Sequence, residues 1–156
     1  MLNAGNQSSA VNKAHEKMAD SAAQPKIVAD VMIRDIKTLR PDQTFADVVS
    51  LLAGNSFHHI VIAVNGYLMG VLSDRDVLRQ FSRVGDWTAK KVGEIMTTNS
   101  VTVGPQEALS DAADRMLTRR VNCLPVVAQD GKLVGLLTST DIIRLYKTLQ
   151  QRVEAE

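Results

Sequence analysis

The chain has 156 residues, 45% of them hydrophobic and 22% charged, a balance that suits one soluble globular domain or two very small ones. Its 18 Lys and Arg against 17 Asp and Glu leave a net charge of +1, which excludes the strongly basic footprint of a dedicated nucleic-acid or anionic-membrane binder. The single cysteine, Cys123, excludes an intramolecular disulfide and any cysteine-clustered zinc or iron–sulfur site.

In chain order, residues 1–24 come first, rich in Ala, Ser, Asn, Gln and Lys, and are expected to form a flexible extension with at most one weak helix around Val11, Ala14 and Met18. The start Met1-Leu2-Asn3-Ala4-Gly5 has no basic region leading into an apolar one. No apolar run approaches the roughly 18 residues that span a bilayer. With a lone cysteine, this points to a cytoplasmic protein that makes no use of membrane or nucleic acid.

Residues 25–82 form a first repeat and 92–149 a second, joined by a linker at 83–91 and followed by a tail at 150–156. Val28-Ala29-Asp30-Val31-Met32 returns as Val92-Gly93-Glu94-Ile95-Met96, and Thr38, Pro41 and Asp47 return as Thr102, Pro105 and Asp111. After one inserted residue, Asn65 to Ser73 is answered by Asp130 to Thr138, and Asp76 by Asp141. Each repeat reads as strand, helix, strand, strand, helix. Phe45, Val48, Val49 and Leu52 form one core-facing helical stripe, and Leu109, Ala112, Ala113, Met116 and Leu117 form the other. Ile60–Val64 and Tyr67–Leu72 join through Asn65-Gly66, and Leu124–Ala128 joins Lys132–Leu137 through Asp130-Gly131; both dipeptides suit tight hairpins because they tolerate positive φ. Helical spacing resumes after Ser73 with Val77, Leu78 and Phe81, and after Thr138 with Ile142, Ile143, Leu145, Tyr146 and Leu149. In the linker, Trp87 reads as a packing anchor in preference to a binding platform. One repeat alone is too small for a generous core. The expectation is an α+β fold of two β-α-β-β-α units packed about a pseudo-twofold axis.

Gly70-Val71-Leu72-Ser73-Asp74-Arg75-Asp76 and Gly135-Leu136-Leu137-Thr138-Ser139-Thr140-Asp141 both resemble the Gly-apolar-apolar-Ser/Thr-x-x-Asp pattern of cystathionine-β-synthase (CBS) repeats. Leu124-Pro125-Val126-Val127 leading into Asp130–Gly135 does so too. The resemblance covers roughly residues 27–147 and both repeats in order. It implies a CBS pair, or Bateman module: a regulatory, signal-transducing module, often a homodimer, whose cleft between repeats holds AMP, ADP, ATP or S-adenosylmethionine. By the family pattern Thr138 and Asp141 face base-lining positions near Thr38, Leu39, Phe57 and His58, and Ser73 and Asp76 face Thr102, Val103, Asn122, Cys123 and Pro125. His59-Ile60-Val61 stands where the second repeat has Leu124-Pro125-Val126, so the two pockets are expected to be unequal.

The chemistry of the motif is consistent with such a ligand. A strand glycine lets backbone approach a planar base. A hydroxyl at a helix start stands beside unpaired N–H groups that favour phosphate. An Asp one turn on offers two carboxylate oxygens to the ribose hydroxyls. Arg75 adds a cation where Thr140 offers only a hydroxyl. Ser73-x-x-Asp76 and Thr138-x-x-Asp141 also fit a helix capping box with Asp for Glu or Gln, worth about 1 kcal/mol, and the two roles are compatible.

Other chemistry finds little support. His58 and His59 are adjacent, so on an extended segment they point to opposite faces and do not share a metal. A single imidazole near phosphate is the more plausible use of one of them. His15-Glu16 lacks the second histidine of a zinc-protease signature, and Cys123 reads as an inert core thiol. There is no Gly-x-Gly-x-x-Gly, no Walker-type loop and no nucleophile elbow, so an enzymatic reading has no nucleophile or base to name. The expectation is a non-enzymatic adenine-nucleotide sensor, with no catalytic cofactor, acting through an effector protein or its own oligomeric rearrangement. A constitutive dimerisation scaffold and an S-adenosylmethionine or NAD(H) sensor are the alternatives.

Overall fold

The computed structural model describes residues 25–56, 58–83 and 85–155. The 1–24 extension and Phe57 therefore lie outside the described residues. The described residues divide into two compact units, one formed by Lys37–Ser100 and the other by residues 25–36 together with 101–155.

Unit 1 contains β1 (Thr38–Leu39), α1 (Phe45–Ala53), β2 (His59–Val64), β3 (Tyr67–Ser73) and α2 (Asp74–Phe81). Its sheet has the order β1-β2-β3, with β1 parallel to β2 and β2 antiparallel to β3. Unit 2 contains α3 (Leu109–Arg119), β4 (Cys123–Val127), β5 (Leu133–Thr138) and α4 (Ser139–Glu154), with β4 and β5 antiparallel. The expected first strand of this unit shrinks to one bridge residue, Val103, lying parallel to Val126. Helices and sheets are mixed as the repeat pattern required. No helix among the described residues is long and apolar enough to cross a membrane.

The registers of the two sheets match. Ile62 pairs with Gly70 and Val126 with Gly135, and each ladder carries an irregularity at the next residue. The inserted residue sits in the second hairpin. Asn65 (φ 52°) and Gly66 (φ 83°) form a two-residue turn closed by Val64 and Tyr67, where both central residues need positive φ. In unit 2 the connection is longer, residues 128–132, and only Gly131 (φ 84°) is left-handed, its amide donating to Ala128 O at 2.9 Å. Asp130-Gly131 is thus not a tight two-residue hairpin.

The units do not follow the sequence repeats. Residues 90–97 pack within unit 1: Val92 N–H donates to Gln43 O (2.8 Å), Phe45 N–H to Lys90 O (2.7 Å), and Thr97 and Val71 exchange both backbone bonds (2.9 and 3.1 Å). Residues 26–33 make the equivalent bonds in unit 2. There Val28 N–H donates to Glu107 O (3.0 Å), Leu109 N–H to Lys26 O (2.9 Å), and Ile33 and Leu136 exchange both bonds (2.8 and 2.9 Å). Each unit is completed by the leading segment of the other sequence repeat.

This packing explains the strand glycines. A Cβ on Gly70 would lie 2.7 Å from Thr97 O and 2.8 Å from Met96 Sδ; one on Gly135 would lie 2.5 Å from Met32 Sδ and 3.0 Å from Ile33 O. The side-chain space is filled by the leading segment. Close approach of a base is therefore not what these glycines serve; close approach of the chain itself is.

The core of unit 1 gathers Leu39, Phe45, Val48, Ile60, Ile62, Leu72, Val77 and Val92, with Trp87 packed against it. Trp87 meets Phe45 and Phe81 edge-on, at centroid distances of 5.3 and 4.7 Å. In unit 2, Met32, Ala112, Met116, Leu124, Val126 and Leu137 are buried. Leu117, by contrast, is 76% exposed, so it is not part of the core-facing stripe of α3. The final helix of each unit also keeps an outward apolar pair: Leu78 and Phe81 on α2, Ile143 and Tyr146 on α4.

Candidate functional site

The same three pieces of chain meet at one end of the sheet in each unit. In unit 1, Thr38 and Leu39 pair with Val61 and Ile62, His59 stands opposite Ser73, and the Asp74 amide donates to His58 O at 3.0 Å. In unit 2, Val103 donates to Pro125 O at 3.1 Å, Cys123 stands opposite Thr138, and the Ser139 amide donates to Asn122 O at 2.9 Å. The residue before the second strand is thereby tied to the first residue of the final helix in both units.

Ser73 and Thr138 are the N-caps. Asp76 Oδ2 accepts from the Ser73 amide (2.9 Å) and hydroxyl (2.7 Å), and Ser73 Oγ accepts from the Asp76 amide (3.3 Å). Asp141 Oδ2 accepts from the Thr138 amide (2.9 Å) and hydroxyl, and Thr138 Oγ1 accepts in return from the Asp141 amide (3.3 Å). Both expected capping boxes are realised. Each commits one carboxylate oxygen, so the two oxygens of each Asp are not equally available. The other oxygen faces an arginine one turn on: Asp76 Oδ1 lies 3.4 Å from Arg79 Nη1, and Asp141 Oδ1 lies 3.9 Å from Arg144 Nη1. Asp76 keeps 19% of its side chain exposed and Asp141 only 2%.

Among the remaining candidates, Leu39, Val103, Cys123 and Pro125 are buried. Burial pushes the Cys123 thiol up to about 12, which leaves it protonated and unreactive at neutral pH. Thr38, His58, Arg75, Asn122 and Thr140 are exposed, and Thr102 is half-buried.

The two rims differ in charge. His58 Nδ1 lies 3.1 Å from Asp74 Oδ2, both side chains largely exposed, and Arg75 follows on the same turn. The equivalent positions of unit 2 are Asn122, Ser139 and Thr140, all neutral. His59, half-buried in β2, has its pKa lowered by burial, partly offset by Asp74 and Asp76. Sequence reasoning missed one group here, the Glu107–Arg115 pair: Arg115 Nη2 donates to Glu107 Oε2 at 2.6 Å, and Arg115 Nη1 to Thr102 O at 2.7 Å. The absence of a Glu or Arg at the matching positions of the first repeat, Gln43 and Leu51, was the signal available in the sequence.

The chain is 31% identical over 115 residues to the CBS domain-containing protein YhcV of Bacillus subtilis, covering 74% of this chain and 81% of that one. It is also 29% identical to a homoserine O-acetyltransferase of Methanohalobium evestigatum, but spans only 24% of that protein's length. Among solved structures, the Vibrio cholerae protein AcuB superposes with a TM-score of 0.74 at 30% identity, over 83% of this chain and 96% of that one. CBSX2 in complex with AMP superposes at 0.72 and 28% identity, over 81% and 99%. The CBS domain pair of MJ0100, in complex with 5'-methylthioadenosine and S-adenosyl-L-methionine, superposes at 0.72 and 25% identity, over 80% and 98%. The family model of the CBS domain matches twice, over residues 28–83 and 92–148, and the chain belongs to the CBS domain family.

Proposed function

We propose that this protein is a regulatory module that binds adenosine-containing ligands, AMP, ADP or ATP first among them, at the sheet end of each unit, and performs no catalysis of its own. The observation that carries this reading is the duplicated constellation of a capped Ser or Thr, an Asp one turn on, and the pre-strand residue tied to the same helix start. Relatives with this fold hold AMP, methylthioadenosine and S-adenosylmethionine. In each unit the ribose acceptor is the carboxylate oxygen that the cap does not use, Oδ1 of Asp76 or Asp141, which also faces the arginine one turn on.

The difference in charge between the rims supports different tastes in the two half-sites. Arg75 and His58 supply the cationic groups that favour phosphate in unit 1, whereas Asn122, Ser139 and Thr140 suit a ligand with less anionic charge. Output passes through an effector protein in a cytoplasmic setting. The matched outward pairs, Leu78 with Phe81 and Ile143 with Tyr146, support a homodimer, because the same positions of both repeats stay apolar and exposed. They equally suit a scaffold that dimerises without any ligand. Thermal melts against AMP, ADP, ATP, S-adenosylmethionine and NADH separate the two: a ligand at about 100 times its dissociation constant adds roughly 2.7 kcal/mol. A melting point unmoved by every one of them at millimolar concentration leaves the scaffold.

A further inference from the structure

Thr102 and Val103 are held from two sides. On the strand side, Val103 N–H donates to Pro125 O (3.1 Å) and Val127 N–H donates to Val103 O (2.9 Å). On the helix side, the Arg115 guanidinium donates to Thr102 O (2.7 Å) and forms a fork with both Glu107 oxygens (3.3 and 2.6 Å). Glu107 in turn accepts from the Gly104 amide at 2.7 Å. The chain Gly104 amide, Glu107, Arg115, Thr102 carbonyl closes a ring around the segment.

Unit 1 builds only the neutral part of this device. Gln43 Oε1 accepts from the Arg40 amide at 2.8 Å, as Glu107 does from Gly104, but Leu51 occupies the place of Arg115 and packs into the core. There the Thr38–Leu39 segment is held by strand pairing with β2 instead, whereas Val103 makes only a single bridge. The charged clamp substitutes for the missing strand.

We propose that Arg115 is a positioning residue for the Thr102–Val103 segment, giving unit 2 a preorganised adenosine half-site whose affinity depends on the guanidinium. This rests on the adenosine-binding reading. A segment already fixed in its bound conformation spares the ligand the cost of ordering it. Lysine keeps one donor for Thr102 O but cannot reproduce the planar fork on Glu107.

The test follows AMP- and S-adenosylmethionine-induced amide chemical shifts in the full chain, for wild type, Arg115→Met, Arg115→Lys and Glu107→Gln. In Arg115→Met, the dissociation constant reported by the Thr102 and Val103 amides rises about tenfold, while that reported by Thr38 and Leu39 stays within about twofold. Arg115→Lys and Glu107→Gln fall between wild type and Arg115→Met at the first pair of amides. The proposal is overturned if the Thr102 and Val103 constants are unchanged in Arg115→Met, if both half-sites weaken together, or if Lys recovers nothing. It is also overturned if only Thr38 and Leu39 respond in the wild type. Failure of both pairs to respond in the wild type removes the adenosine reading itself.

Discussion

Ser73 and Asp76 hold each other at the start of α2, Asp76 Oδ2 taking the Ser73 amide and hydroxyl while Ser73 Oγ takes the Asp76 amide. Thr138 and Asp141 repeat the arrangement at the start of α4. The cap fixes the carboxylate, so the side chain proposed as the ribose acceptor also carries a structural role. Replacing Asp76 or Asp141 by Ala is expected to cost about 1 kcal/mol or more through loss of the cap. Asp141→Ala costs more, since its partners are then left unpaired in a nearly closed environment. Urea denaturation of both variants checks the order; an equal or reversed order contradicts it.

Gly70 and Gly135 are held to glycine by chain packing, and the obstacles differ. Gly70 faces a backbone oxygen at 2.7 Å, which cannot move without breaking the Val71–Thr97 pairing, while the nearest atom to Gly135 is the end of a flexible methionine side chain. Gly70→Ala is therefore expected to destabilise by about 1–3 kcal/mol and Gly135→Ala by less. Chemical denaturation midpoints read the difference.

Burial lowers the pKa of His59 below its ordinary value of 6.5. Protonation then costs more in the folded than in the unfolded chain. The contribution to stability is whole above 6.5 and is lost as pH falls from there toward the depressed folded value. A melting curve series between pH 7.5 and pH 5.5, about one unit either side of 6.5, is expected to fall on the acid side and to flatten in His59→Phe. An unchanged acid slope in the variant would assign the slope to other groups.

Leu78 and Phe81 on α2, and Ile143 and Tyr146 on α4, occupy matching positions and remain exposed. Phe81 also packs on Phe45 and Trp87, so Ile143 and Tyr146 give the cleaner probe. Ile143→Ser combined with Tyr146→Ser is expected to turn a dimer into a monomer in light scattering while leaving the melting point of the monomer fold intact. A wild-type monomer at the same concentration contradicts the dimer.

The repeat and most elements after Thr44 were legible in the sequence, because period-2 and period-3.6 apolar spacing and the Gly-to-Asp motif recur with one inserted residue; the insertion lies in the hairpin, however, so His59-Ile60-Val61 matches Cys123-Leu124-Pro125 and not Leu124-Pro125-Val126, and the first strand of unit 2 is a single bridge. The destination of the leading segments was not. Val28–Met32 and Val92–Met96 are near-copies, and nothing in either says which sheet it completes. The same ambiguity led the glycines to be read toward a base when Met96-Thr97 and Met32-Ile33 fill that space. Leu117 satisfied helical spacing yet lies at the margin of the buried arc. The capping boxes of Ser73 with Asp76 and Thr138 with Asp141 were legible; that each Asp commits one oxygen, Oδ2, to its cap was not, since a pattern does not count lone pairs.

The central claim, an adenosine ligand received by the carboxylate oxygen that each cap does not use, is tested most directly by calorimetric titration of AMP into the wild type, Asp76→Asn and Asp141→Asn. Asn keeps a carbonyl oxygen for the cap but places an amide donor where the ribose acceptor is needed. The account predicts binding to the wild type and a loss of about tenfold or more in each variant at the affected half-site, with little change in melting point. AMP binding that survives both substitutions unchanged, or no binding to the wild type at millimolar AMP, contradicts it.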